Sequence, residues 1–146
     1  MTVLKFISTE PDFIPPKTDQ DNALMHVNEI FGDIKIQLQQ TENIEFVDQG
    51  ENFESINCNN CTCDIEIQVW QDAMDKAFEK KFTELSFITP CCCKKTTLND
   101  LLYHWPAGFA KFIIIVSDPK DDIKENELAK LERILNTKIR KIWAHY

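Results

Sequence analysis

The chain has 146 residues, 43% of them hydrophobic and 27% charged, and carries a net charge of −8. That length holds one domain, or one domain with a small insert, and is long enough to bury a core. An acidic surface with only two arginines, Arg133 and Arg140, argues against nucleic-acid binding, because that affinity rests on basic residues neutralising phosphates. With no run near 18 consecutive apolar residues, nothing here spans a membrane.

The opening MTVLKFISTEPDF lacks a basic segment followed by a long apolar run, so it does not read as a secretory signal. Val3 to Ile7 reads as a strand, and the proline-rich Glu10–Pro16 as a connector, since proline cannot donate to a ladder. Asp19 or Asp21 caps a helix running to about Phe31. Its apolar stripe is Leu24, Val27, Ile30 and Phe31, and Gly32 stops it. Ile34, Ile36 and Leu38 alternate with polar residues, the pattern of an edge strand buried on one face. Ile44–Val47 and Phe53–Ile56 read as a hairpin turning at Gly50.

From Ile67 to Phe82, apolar residues recur at three and four, as on an amphipathic helix. Leu85–Ile88 reads as a short strand ending at Pro90. Thr97, with Asp100 three residues on, reads as the cap of a short helix through Tyr103. Phe109–Val116 is almost wholly apolar, as in a central strand covered on both faces. Asp118-Pro119 breaks it. A helix from about Asp122 to Leu135 and a last strand, Ile139–Tyr146, complete the chain. The expected architecture is α+β: a ferredoxin-like β-α-β/β-α-β sandwich within a single domain, 1–146, with a zinc-ribbon-like segment inserted over 43–108. Val3–Ile7 and Phe109–Val116 take the central positions. The inserted helix is expected to cover the sheet face that the two outer helices leave open.

All six cysteines fall within this insert, as Cys58-Asn-Asn-Cys61, Cys63 and Cys91-Cys92-Cys93. Without a secretory signal the chain is expected in a reducing cytoplasm, where clustered thiols bind metal more often than they form disulfides. A Cys-x-x-Cys turn sets two sulfurs on one side of an ion, and a second pair returning later completes a tetrahedral zinc site. Cys58 and Cys61 are the firmest ligands. Cys91 with Cys92 is the first choice for the other pair, and Cys91 with Cys93 the second. Cys63 reads as a spare thiol or a neighbour of the site. No cysteine repeat is evident.

His26, His104 and His145 read as surface or core-edge residues, no carboxylate pair stands out as a catalytic dyad, and no glycine-rich phosphate loop or Gly-x-Ser-x-Gly elbow is present. Trp105–Phe109 reads as a fixed turn packing the insert onto the sheet. These features favour a non-enzymatic zinc-binding module that binds another protein. The alternative is a thiol-based metal or redox sensor, because six cysteines exceed what one zinc needs. An enzyme using His104 and the Trp105–Phe109 loop is a weaker third reading.

Cys58-x-x-Cys61, Trp70-x-Asp-Ala-Met74, Pro90-Cys-Cys92, Leu98-Asn-Asp-Leu101, Tyr103, Trp105-Pro-Ala-Gly-Phe109 and Ala144-His-Tyr146 together resemble a group of uncharacterised bacterial proteins. That group carries a zinc-ribbon-like Cys-Pro-x-Cys-Gly and Pro-Cys-Cys-Gly pair. The resemblance implies zinc bound through Cys58, Cys61, Cys91 and Cys92, and implies no activity. The chain departs from the pattern at Asn59, where proline is usual, and at Cys63 and Cys93, which lie near or at the usual glycines.

Overall fold

A computed structural model describes residues 1–146. In chain order the elements are β1 (Thr2–Ser8), α1 (Lys17–Phe31), β2 (Ile36–Val47), β3 (Ile56–Asn57), α2 (Ile67–Glu79), β4 (Ser86–Ile88), β5 (Lys95–Thr97), β6 (Leu102–Tyr103), β7 (Gly108–Ser117), α3 (Glu125–Leu135) and β8 (Ile139–His145). Four strands form one antiparallel sheet in the order β2-β7-β1-β8. The apolar run of β7 therefore lies inside the sheet beside β1, with Leu4 opposite Val116 and Phe6 opposite Ile114. Two further pairs, β3 with β6 and β4 with β5, are short antiparallel ribbons.

Helices α1 and α3 pack together on one face of the sheet. Alternation along β1 and β7 puts Leu4, Phe6, Phe112, Ile114 and Val116 on that face, against Ala23 and Val27 of α1 and Leu131 and Leu135 of α3. His26 joins the two helices, its Nε2 donating to the Glu127 carbonyl at 2.9 Å. Glu127 in turn accepts from the Lys124 N–H at 3.0 Å, closing the start of α3.

The opposite face carries Ile7, Ile113 and Ile142, joined by Val47. The insert was expected to lie over this face. Its apolar cluster instead packs at the end where β2 finishes and β7 begins, and only Val47, Asp48, Asn99 and Ala107 are seen to reach this face. Phe82, Leu98 and Leu101 pack with Phe109, and the rings of Phe46 and Trp70 meet edge to face at 5.9 Å. Farther along the same face, Lys5 reaches the Asp48 carbonyl at 3.0 Å and the Tyr146 hydroxyl at 2.6 Å.

Several elements differ from the sequence reading. Helix α1 starts at Lys17 with Pro16 before it and no side-chain cap, so Asp19 sits in the first turn rather than at the cap. Strand β2 lies at the sheet edge as expected, but it is one strand of 12 residues with an irregularity between Gln40 and Glu45, where a short edge strand followed by a hairpin was expected. Its second half pairs with the start of β7, while Ile56 pairs with Tyr103 of β6 rather than with Ile44–Val47. Gly50 does not turn a hairpin; it lies beside His145, and the Glu51 N–H donates to the His145 carbonyl at 2.8 Å. This contact covers part of the exposed edge of β8.

Thr97 and Asp100 do bond, Oγ1 to Oδ2 at 2.8 Å, but they close a turn that leads into β6 rather than a helix. Helix α2 ends at Glu79 because Lys81 and Phe82 take left-handed conformations, and the Phe82 N–H returns to the Ala77 carbonyl.

Candidate metal centre

Strand β3 leads into Cys58 and strand β4 leads into the cysteine triplet. The two loops face each other, and the Sγ atoms of Cys58, Cys61, Cys91 and Cys92 all lie within 4.8 Å of one another. Cys58 and Cys92 sulfurs are 3.7 Å apart, and those of Cys61 and Cys91 are 3.2 Å apart. Four thiolates about 2.3 Å from one tetrahedral ion would sit about 3.8 Å from each other. The four sulfurs therefore fit a single ion of zinc size, with an all-thiolate donor set and no disulfide among the six cysteines. Cys63 and Cys93 are exposed and outside this set, so the second choice of Cys93 as ligand does not match the geometry.

Backbone groups serve the first loop directly. Bonds to its sulfur from the Cys61 and Asn60 N–H groups hold the Cys58 thiol low, at about 6, and the Asn60 nitrogen lies 3.3 Å away. The Cys63 N–H lowers Cys61 in the same way. Cys91 is pushed the other way, to about 12, chiefly by its hydrogen bond with the Cys61 sulfur 3.2 Å away. The two sulfurs are close enough for their protons to titrate together. A divalent ion displaces such protons, and the thiolates become ligands.

The two loops are the same structure used twice. In the first, the Cys58 N–H donates to the Cys63 carbonyl at 2.9 Å and the Thr62 N–H to the Cys58 carbonyl at 3.0 Å. In the second, the Thr89 N–H donates to the Lys94 carbonyl at 3.0 Å and the Cys93 N–H to the Thr89 carbonyl at 2.9 Å. Thr62 and Cys93 both take the left-handed conformation, at φ 64° and 58°. The bridge of Asn57 to Asp64 before and after the first loop matches the pairing of Ile88 with Lys95 around the second. Burial repeats residue for residue from Cys58–Cys63 to Thr89–Lys94.

This repeat was not legible as a cysteine repeat, because Thr89 stands where the first loop has Cys58. The matching clustered cysteine, Cys92, stands where the first loop has Cys61. Cys91 corresponds to Asn60, which is not a ligand. Thr89 is the site residue that the sequence reading missed. The signal was the spacing Thr89-x-x-Cys92, a Cys-x-x-Cys pattern with a hydroxyl in the first place. Thr89 is fully buried, and its Oγ1 lies 3.1 Å from the Cys92 sulfur.

Around the centre the packing is aromatic and apolar. Cys58 belongs to a buried cluster with Ile56, Ile65, Phe87, Leu98 and Phe109. The Trp70 Nε1 donates to the Tyr103 hydroxyl at 3.1 Å, and that hydroxyl donates to the Leu98 carbonyl at 2.6 Å. Trp105–Phe109 leads this cluster into β7, while His104 is exposed and its only hydrogen bond is a backbone one, to Ser55. His145 bonds Thr2 at the sheet edge. No histidine joins the sulfur cluster. No helix is long and apolar enough to cross a membrane. Comparison of the chain with family models, curated proteins and solved structures finds no match.

Proposed function

We propose that this chain is a non-enzymatic zinc-binding module that engages another protein, with Cys58, Cys61, Cys91 and Cys92 holding a structural Zn2+. The convergence of four sulfurs from two loops of like backbone carries this reading. A closed thiolate set leaves no position for substrate on the metal, which suits a structural ion rather than a catalytic one. The free thiols fit a reducing, cytoplasmic setting. The strand order β2-β7-β1-β8, with a helix between the first two and the last two sheet strands, is read here as the ferredoxin-like plan with a zinc-ribbon-like insert. Likeness to the uncharacterised bacterial group with the Pro-Cys-Cys motif belongs to the same reading. For the protein partner, the support is apolar surface on the insert: Phe78 is 69% exposed and Ile88 66%.

Metal analysis of freshly purified protein tests the site. One zinc per chain is expected, with Cys58→Ser and Cys61→Ser each abolishing it. A metal-free chain that is fully folded would refute the reading. For the partner, a native pull-down that recovers no stoichiometric protein under any growth condition counts against it.

A second reading, a thiol-based sensor, draws on the exposure of Cys63 and Cys93 beside the cluster. Mild peroxide treatment followed by mass spectrometry separates the two. Unmodified thiols and retained zinc leave the structural module standing and remove the sensor.

A further inference from the structure

The equivalence of the two loops has a chemical consequence for the fourth ligand. In the first loop the ligands occupy the first and fourth places, Cys58 and Cys61. In the second loop the fourth place is Cys92, but the first is Thr89, an alcohol that binds zinc poorly beside thiolates. The missing sulfur is supplied from the third place, by Cys91. That place faces solvent in both loops: Asn60 and Cys91 are exposed, whereas Cys58 and Thr89 are fully buried. Cys58 thus approaches the centre from inside the packed cluster, and Cys91 approaches from outside.

We propose that Cys91 is the displaceable thiolate of this centre and the residue through which soft electrophiles open it, because Thr89 fills the buried place from which a cysteine would bind. This inference rests on the zinc reading above. The chemistry is a simple alkylation. The Cys91 sulfur gives its electron pair to the carbon of the reagent, the leaving group departs with its own pair, and the zinc keeps three thiolates until chelator removes it. Cys63 and Cys93 are exposed but lie outside the cluster, so their modification leaves the ion in place.

Limiting iodoacetamide added to the zinc-loaded chain, with a colorimetric chelator present and peptide mapping at intervals, tests this. Cys63 and Cys93 are expected to label without zinc release. Among the four clustered cysteines Cys91 labels first, at least tenfold ahead of Cys58, and zinc release follows Cys91 labelling. In Thr89→Cys the buried place regains a sulfur. Cys91 should still label, while the rate of zinc release falls at least tenfold, and zinc binding lost in Cys91→Ser should return in the double variant Thr89→Cys, Cys91→Ser.

Labelling of Cys58, Cys61 or Cys92 ahead of Cys91 in the unaltered chain overturns the proposal without recourse to any variant. Zinc loss from folded Thr89→Cys at the unaltered rate does so as well. In both cases the zinc reading survives, whereas a chain that binds no zinc at all removes both.

Discussion

Arg140 of β8 grips Asn99 of the insert twice, its Nη1 donating to the Asn99 carbonyl at 3.0 Å and to the side-chain oxygen at 3.2 Å. The same nitrogen reaches the Ala107 carbonyl at 2.9 Å. Asn99, buried, also donates to the Thr9 carbonyl at 3.0 Å and accepts from the Phe109 N–H at 3.1 Å. These bonds tie the insert to β7, β8 and the residue that follows β1 at one point. Burial holds the Arg140 pKa below the usual arginine value, with Asp100 acting in the opposite sense. Asn99→Ala removes the side-chain oxygen that serves both the guanidinium and a buried backbone N–H. A loss of about 2–3 kcal/mol is expected, since buried donors left unpaired carry their full desolvation penalty. Denaturant titration measures it, and a change below the error of the fit would show that the bridge is not a structural tie.

Zinc removal should act locally. The ribbons β3–β6 and β4–β5 have two and three residues per strand, too short to persist alone. A structural zinc contributes on the order of 10–16 kcal/mol of apparent free energy in small peptides, against about 5–15 kcal/mol for a whole domain. Chelation under reducing conditions is expected to remove hydrogen-exchange protection from both ribbons while β1 and β7 keep theirs. Equal protection everywhere after metal removal would contradict a structural role for the ion.

The alkaline limb of stability should report Tyr146. Burial, followed by the charge of Asp48, pushes its hydroxyl up to about 12. A pKa raised on folding means that the neutral phenol is favoured in the native state. That contribution is complete below the ordinary value near pH 10 and is lost as pH rises through about 12. Tyr103 is shifted in the same direction, chiefly by burial. Because these are the only two tyrosines, the ultraviolet tyrosinate signal of the folded protein should be nearly silent at pH 10. Tyr146→Phe should leave only the higher transition. An unaltered titration in that variant would discount the Tyr146 shift.

On the acid side Asp48 behaves oppositely. Burial raises its carboxyl, but the Lys5 charge, the Tyr146 hydroxyl and the Gly50 N–H together outweigh burial and hold it below 3.8. Its contribution is present above that value and fades as pH falls through the depressed one.

Gly50 lies at φ 59°, and a Cβ there would overlap the His145 carbonyl. Gly50→Ala is expected to part the Gln49–Glu51 segment from β8 and cost about 2–3 kcal/mol, the sum of a left-handed backbone penalty and a lost hydrogen bond. Thermal unfolding of the variant measures this, and an unchanged midpoint would show that the segment is not held by this contact.

Periodicity and composition were sufficient for the elements that obey one local rule. The apolar run of β7, the stripes of α1, α2 and α3, and the Cys58-x-x-Cys61 turn are all set by neighbours a few residues away. The tertiary structure decided whatever depended on partners distant in the chain. The long β2 took its second half from pairing with the start of β7, and Ile56 paired with Tyr103, so the turn at Gly50 forms without making a hairpin. The clustering of the Cys91 and Cys92 sulfurs, without that of Cys93, and the buried place held by Thr89 arose when two loops separated by 31 residues were brought face to face. Spacing can nominate a metal ligand, but whether its sulfur points inward is settled by hydrogen bonds and burial that form only on folding.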